Sequence, residues 1–90
     1  MAVCEWDEAK RMRVLAQRDL DFGAGQWIFD GRPLLTITSN RGIEERWISV
    51  GDLDGRLVAI VWTKRGENIR IITMRSARDE EKRQYRQLHV

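Results

Sequence analysis

Two short apolar runs flanking one tight turn constrain this chain more than any other feature. Residues 57–63 (LVAIVWT) are too few for a typical helix and rich in β-branched side chains. Lys64-Arg65-Gly66-Glu67 then supplies a turn in which Gly66 can take a positive φ. Residues 69–74 repeat the strand pattern with Arg70 set into it; Arg75 ends that strand and Ser76 opens a helix. The stretch 56–85 therefore reads strand, turn, strand, helix, and it brings several arginines to one hairpin.

The remaining elements follow from local signals. Asp7 is a fair N-cap, with Glu8 in the first turn of a helix running to about Arg18. Met12, Leu15 and Ala16, with Ala9 a turn earlier, give that helix an apolar stripe, and Trp6 is placed as a hydrophobic staple. Asp19-Leu20-Asp21 breaks it and caps a second helix over 22–29. Gly23 and Gly25 each cost that helix about 1 kcal/mol relative to alanine, so Phe22, Trp27, Ile28 and Phe29 must hold it against a sheet. Pro33 closes the helical region.

Strands are expected at 34–38 and 45–50, separated by the turn cluster Ser39-Asn40-Arg41-Gly42. In the second of these, Trp47 and Ser49 face one way and Arg46, Ile48 and Val50 the other. Asp54-Gly55, closing the turn 51–55, is a hairpin signal. In the last helix, Asp79 stands three residues after Ser76 in a variant capping box, and Arg83 and Arg86 lie near its end. Ala77, Glu81, Tyr85 and Leu88 share one face of it, and Arg78, Lys82 and Arg86 another. The expected fold is a single α+β domain over residues 1–90: a four-stranded antiparallel meander with two N-terminal helices and one C-terminal helix, in the order α-α-β-β-β-β-α.

Composition narrows the chemistry. Residues 1–45 carry six Lys/Arg and eight Asp/Glu, net −2, whereas residues 46–90 carry ten and six, net +4. A basic C-terminal half fits contact with a polyanion, although solvated surface charge accounts for it equally simply. One cysteine, Cys4, forms no internal disulfide, and no apolar run has the length of a signal or a membrane span, so a cytoplasmic, reducing compartment is expected. The single histidine, His89, and Cys4 sit at opposite ends of the chain, and the seven glycines are scattered, so neither a metal cluster nor a phosphate loop is legible. No cofactor is expected.

What remains is arginine, lysine, glutamate and one tyrosine, a set suited to RNA cleavage by attack of the ribose 2′-hydroxyl on the adjacent phosphate. That reaction needs cations for the developing phosphate charge and a group to move protons. Arginine meets the first need through its bidentate, permanently charged fork. Arg46, Arg70 and Arg75 lie on or at the ends of neighbouring strands, where a meander can gather them at one groove. Glu81 and Tyr85, one turn apart on the last helix, are the candidates for proton transfer. Lys64, Arg65, Arg78 and Lys82 are candidates for further RNA contacts. Arg70 is also readable as an ordinary outward strand residue, and Arg75 as half of a salt bridge at the helix entry. Trp47 and Trp62 read as core rather than as stacking platforms.

The chain also resembles the BrnT toxins of bacterial type II toxin–antitoxin systems, over nearly its whole length. The markers are Glu5-Trp6-Asp7 with Ala9-Lys10, Phe22, Ile28-Phe29-Asp30 and Glu44-Glu45-Arg46. They continue with Gly55-Arg56-Leu57-Val58, Thr63, Arg65-Gly66, Ile69-Arg70-Ile71-Ile72, Arg75, Ala77, Glu81 and Tyr85. Residues 14–20 and 42–43 depart from the usual family pattern, which has Asn followed by Lys-His-Gly-Val at the first and Tyr-Gly at the second. The resemblance implies a RelE-like fold and a metal-independent endoribonuclease toxin that inhibits translation. It also implies a ribbon-helix-helix, BrnA-like antitoxin partner, with operator DNA contacted only through that antitoxin. The alternative is a catalytically weak module that binds the antitoxin or nucleic acid without cleaving RNA.

Overall fold

A computed structural model describes residues 3–32, 34–39 and 44–89. The expectations placed on Pro33 and on the turn at 40–43 lie outside the described residues. The central hairpin forms as its sequence requires: β4 (Arg56–Arg65) and β5 (Asn68–Ser76) are antiparallel, joined by a turn with Gly66 at φ 58°. Asp54 and Gly55, both at positive φ, join β3 (Arg46–Leu53) to β4, and β2 (Leu35–Ser39) pairs antiparallel with β3. Trp47 and Ser49 do face opposite to Arg46, Ile48 and Val50: Ser49 is paired with Ile60 and Val50 with Ala59.

The sheet has five strands, in the order β1-β5-β4-β3-β2, and is mixed. The strand absent from the expected meander is β1 (Cys4–Trp6), which pairs parallel with β5, Glu5 opposite Arg70. Three residues display no periodicity, and a parallel partner some sixty-five residues away leaves no local trace. The order is therefore β-α-α-β-β-β-β-α.

α1 (Glu8–Arg18) starts at Asp7, whose carboxylate accepts from the Lys10 N–H at 3.1 Å, and ends at Asp19 in the left-handed conformation. Its buried residue is Val14, while Met12 is 54% exposed and Ala16 also faces solvent, so the stripe of Met12, Leu15 and Ala16 is not the packing face. The cause is position. α1 runs beside β5 beyond the end of β1, where Arg18 Nη1 donates to the Met74 carbonyl at 2.9 Å, and half-buried Lys10 and Arg11 contribute aliphatic stems in place of a wide apolar stripe. The second helical segment is one α turn, α2 (Phe22–Gly25), continuing as a 3-10 turn over Gln26–Phe29. Asp21 caps it through Gly23 N–H (2.9 Å) and binds Arg11 Nε (2.7 Å), tying α2 to α1. Gly25 is explained by proximity, since a Cβ there would lie 2.8 Å from Met74 Sδ.

Two apolar clusters lie on opposite faces of the sheet. Under α1, α2 and the 3-10 turn, Val14, Leu20, Phe22 and Ile28 pack on Val58, Ile60, Ile71 and Met74. Trp62 joins this cluster, stacking on Trp47 at 5.0 Å and donating its Nε1–H to the buried Ser49 hydroxyl at 2.8 Å. On the other face, Val50, Ala59 and Ala77 pack with Leu35, Ile48, Leu57 and Tyr85 under α3 (Asp79–Leu88). α3 begins three residues later than Ser76, because Ser76 still pairs with Val58 in the sheet. β4 is covered on both faces along Val58, Ala59 and Ile60, which is why it reads as an unbroken apolar run.

Gly51 on β3 admits the 3-10 turn closely: a Cβ there would stand 2.9 Å from Leu34 Cδ2 and 3.0 Å from Ile28 Cβ, the latter a stiff branch point. Gly51→Ala is therefore expected to cost about 1–3 kcal/mol through overpacking. Thermal melts should show the midpoint falling by about 4–8 °C per kcal/mol; an unchanged midpoint would mean that the turn is not seated on β3 as described.

Candidate active site

α3 lies above β2 and β3 at one end of its sheet face. Beside it runs a groove of about 330 Å³. Ile48, Val61 and Ile72 form an apolar floor, Ser39 and Thr73 add hydroxyls, and Lys10, Arg46, Arg75 and Arg78 supply four cations. No carboxylate is among these lining residues. The groove sits at an irregularity in β5: Val61 faces Thr73 while Trp62 faces Ile71, so Ile72 is an extra residue. Such a bulge turns side chains toward a site that a regular ladder would not reach.

Arg75 is held more firmly than any other cation of the groove. Its Nη1 and Nη2 meet Glu81 Oε1 and Oε2 at 2.7 and 2.9 Å, a bidentate pair with both side chains largely buried. Glu81 Oε1 also accepts the Arg78 backbone N–H at 2.8 Å, so one carboxylate caps α3 and anchors the arginine. The Arg75 guanidinium, first, and then the Arg78 N–H hold the Glu81 carboxyl below its ordinary value, against the opposing effect of burial. Arg75 spends a further donor on the Ser76 carbonyl at 3.3 Å. Of its five N–H groups, two remain for a ligand.

Arg46 is the complement of this locked pair. Its Nε is buried without a hydrogen-bond partner among the described residues. A buried donor left unpaired carries a desolvation cost that an incoming acceptor removes. Lys10 arrives from the first turn of α1. Pattern reasoning did not place it here because its position depends on how α1 crosses the sheet edge; its one sequence signal is its place in the Ala9-Lys10 family marker.

The other candidates lie elsewhere. Arg70 shares the row of Arg46, two strands away, so their Cα atoms are about 10 Å apart. It pairs with Glu5 (3.4 Å), whose other oxygen accepts from Asn68, and it does not line the groove. Tyr85, one turn after Glu81, stacks on His89 at 4.1 Å and packs on the second cluster. Lys64 stands over the Trp47 ring at 5.1 Å, on the opposite face of the sheet, and Arg65 is exposed at the hairpin end. Lys82 lines a separate depression together with Arg56 and Arg86. The structure thus brings together Arg46, Arg75, Glu81 and Arg78, adds Lys10, and leaves Arg70, Tyr85, Lys64, Arg65 and Lys82 outside the groove. Among the described residues no group of three His, Cys, Asp or Glu side chains is disposed to hold a metal ion, and no helix is long and apolar enough to cross a membrane.

No curated protein sequence matches the chain. Its residues 6–81, which include every residue lining the groove, match the family described as the ribonuclease toxin, BrnT, of type II toxin–antitoxin systems. A carboxylate-free groove of arginines and a lysine on an α+β scaffold is in keeping with that match, and the chain belongs to the BrnT family of ribonuclease toxins.

Proposed function

We propose that the groove cleaves RNA without a metal, by attack of a ribose 2′-oxygen on the neighbouring phosphorus. The P–O2′ bond forms as the P–O5′ bond breaks; the 2′-hydroxyl proton passes to water, and the leaving 5′-oxygen is protonated. The products are a 2′,3′-cyclic phosphate and a 5′-hydroxyl. The observation that carries this reading is that one groove holds a locked Arg75 and an Arg46 whose buried Nε has no partner among the described residues. Together they offer preorganised donors to the non-bridging oxygens as charge accumulates there.

In this reading Arg78 adds charge at the rim. Lys10 is the residue that delivers a proton to the 5′-oxygen, because arginine stays charged and cannot shuttle protons. Glu81 acts through Arg75 as a positioning residue, since both of its oxygens are already engaged. Tyr85 and Arg70, both outside the groove, take no part in the chemical step in this reading. The toxin–antitoxin family implies an antitoxin partner; we take it to be a ribbon-helix-helix protein that covers the groove and the outer side of α1, and through which operator DNA is bound. Exposed Met12 and Arg13 mark that side, whereas Arg11 is engaged with Glu8 and Asp21.

Arg46→Ala and Arg75→Ala are each expected to lower the RNA cleavage rate about 10²–10³-fold, and Arg70→Ala less than either. Cleavage assays on purified variants with native circular dichroism spectra test this; parental rates for Arg46→Ala and Arg75→Ala would remove the proposed centre. In pull-downs, Arg13→Glu should weaken antitoxin capture while cleavage persists, and undiminished capture would place the partner elsewhere.

The lowered Glu81 pKa makes a pH prediction. Below the ordinary carboxylate range the unfolded chain binds a proton at this residue that the folded chain excludes, so stability rises with pH there. The contribution is fully present above the unfolded value of 4.5 and is lost as pH falls through the depressed folded value. Glu81→Gln should therefore be less stable than the parent by about 1–3 kcal/mol near neutral pH. The gap should narrow in acid; a gap independent of pH would mean that the ion pair does not hold α3.

A further inference from the structure

α3 carries basic residues that the groove does not use. Arg78, Lys82 and Arg86 recur every fourth residue and so share one side of the helix. Arg78 lines the groove, but Lys82 and Arg86 line a second depression of about 270 Å³ with Arg56, Leu57 and Ser76. The two hollows share no lining residue, but consecutive residues of β5 border them, Arg75 the first and Ser76 the second. Along the helix axis Lys82 lies about 6 Å and Arg86 about 12 Å from Arg78.

The charge along this row is offset only at its start, where Glu81 feels the Arg78 charge. Among the described residues, none of Arg56, Arg78, Lys82 and Arg86 is in an ion pair, whereas Arg83, on another side of the same helix, is paired with Glu80 at 2.8 Å. Arg56 donates only to the neutral Ser76 hydroxyl, at 2.8 Å. Asp79, in the first turn, is the carboxylate beside the row, and no carboxylate lines either hollow. Unpaired cations repeated along a helix, beginning at a groove and ending in a second hollow, match a chain of phosphates better than one small anion.

We propose that an RNA strand seated in the groove continues along α3, with phosphates beyond the scissile one held by Lys82, Arg86 and Arg56. The proposal rests on the reading of the groove as an RNA-cleaving site. It makes the substrate a single strand several nucleotides long, gripped through its backbone and without regard to base identity outside the groove.

A twelve-nucleotide single-stranded RNA with 2′-O-methyl sugars, which cannot undergo 2′-oxygen attack, is the binding probe. Its affinity is measured against salt for the parent and for the double variant Arg56→Gln/Arg86→Gln. Each phosphate contact contributes about 0.7 to the slope of log affinity against log salt for single strands. The double variant should therefore bind more weakly at low salt, with a slope shallower by about 1.4. It should still cleave a dinucleoside monophosphate, which fills the groove alone, at the parental rate. Equal slopes and affinities would overturn the track. An equal loss on the dinucleoside would overturn it too, as would an intact RNA slope with weakened antitoxin binding, which would give the row to the partner. A parent that binds the oligonucleotide through these residues yet cuts no RNA would support the track and overturn the cleavage reading instead.

Discussion

The bidentate pair between Arg75 and Glu81 is the contact on which the arrangement of this protein turns. It joins the end of β5 to the first turn of α3, it caps that helix through the Arg78 N–H, and it sets the orientation of a groove arginine. An ion pair this buried is a weak source of net stability, because desolvation offsets much of the Coulomb attraction. Its value here is geometric. Removing either partner leaves a buried charge alone, so sheet, helix and groove are specified together.

The groove itself follows from incomplete coverage. Val50, Ala59 and Ala77 are small enough for α3 to lie close to the sheet, where the helix rests above β2 and β3. Beyond it Ile48 and Val61 remain as a half-exposed floor, edged by cations from β3, β5, α3 and, across the sheet margin, α1. The opposite face is closely packed: Phe22 and Ile28 are fully buried there, and Trp62 is fixed between Trp47, Phe29 and Ser49. The groove and the smaller cluster thus share one face, while the larger cluster fills the other.

Where the fold was legible in the sequence, the determinants were local. The turns at Asp54-Gly55 and Gly66 need positive φ, Asp7 and Asp21 are caps with short side chains, and β4 carries the apolar run of a strand covered on both faces. Where it was not, the determinant was a distant partner. β1 exists because β5 has an edge for Glu5 and Trp6 to pair with, and α1 turns Val14 inward because that is the side it lays on the core cluster. Ser76 stays in the sheet because Val58 holds it, which moves the helix start to Asp79. The site divides in the same way. Arg46 and Arg75 are visible as arginines on the two strands that flank β4, but the Glu81 clasp, the diversion of Arg70 to Glu5 and the approach of Lys10 all depend on contacts between elements.

If the groove promotes attack by the 2′-oxygen using only its own side chains, the RNA ends that it leaves must carry the mark of that attack. End-group analysis of RNA incubated with the purified protein in a metal chelator tests it most directly, with a fully 2′-O-methylated strand of the same sequence alongside. The unmodified RNA should yield 2′,3′-cyclic phosphate and 5′-hydroxyl ends, and the methylated strand should stay intact. Loss of cleavage in the chelator, or cutting of the methylated strand, would contradict it.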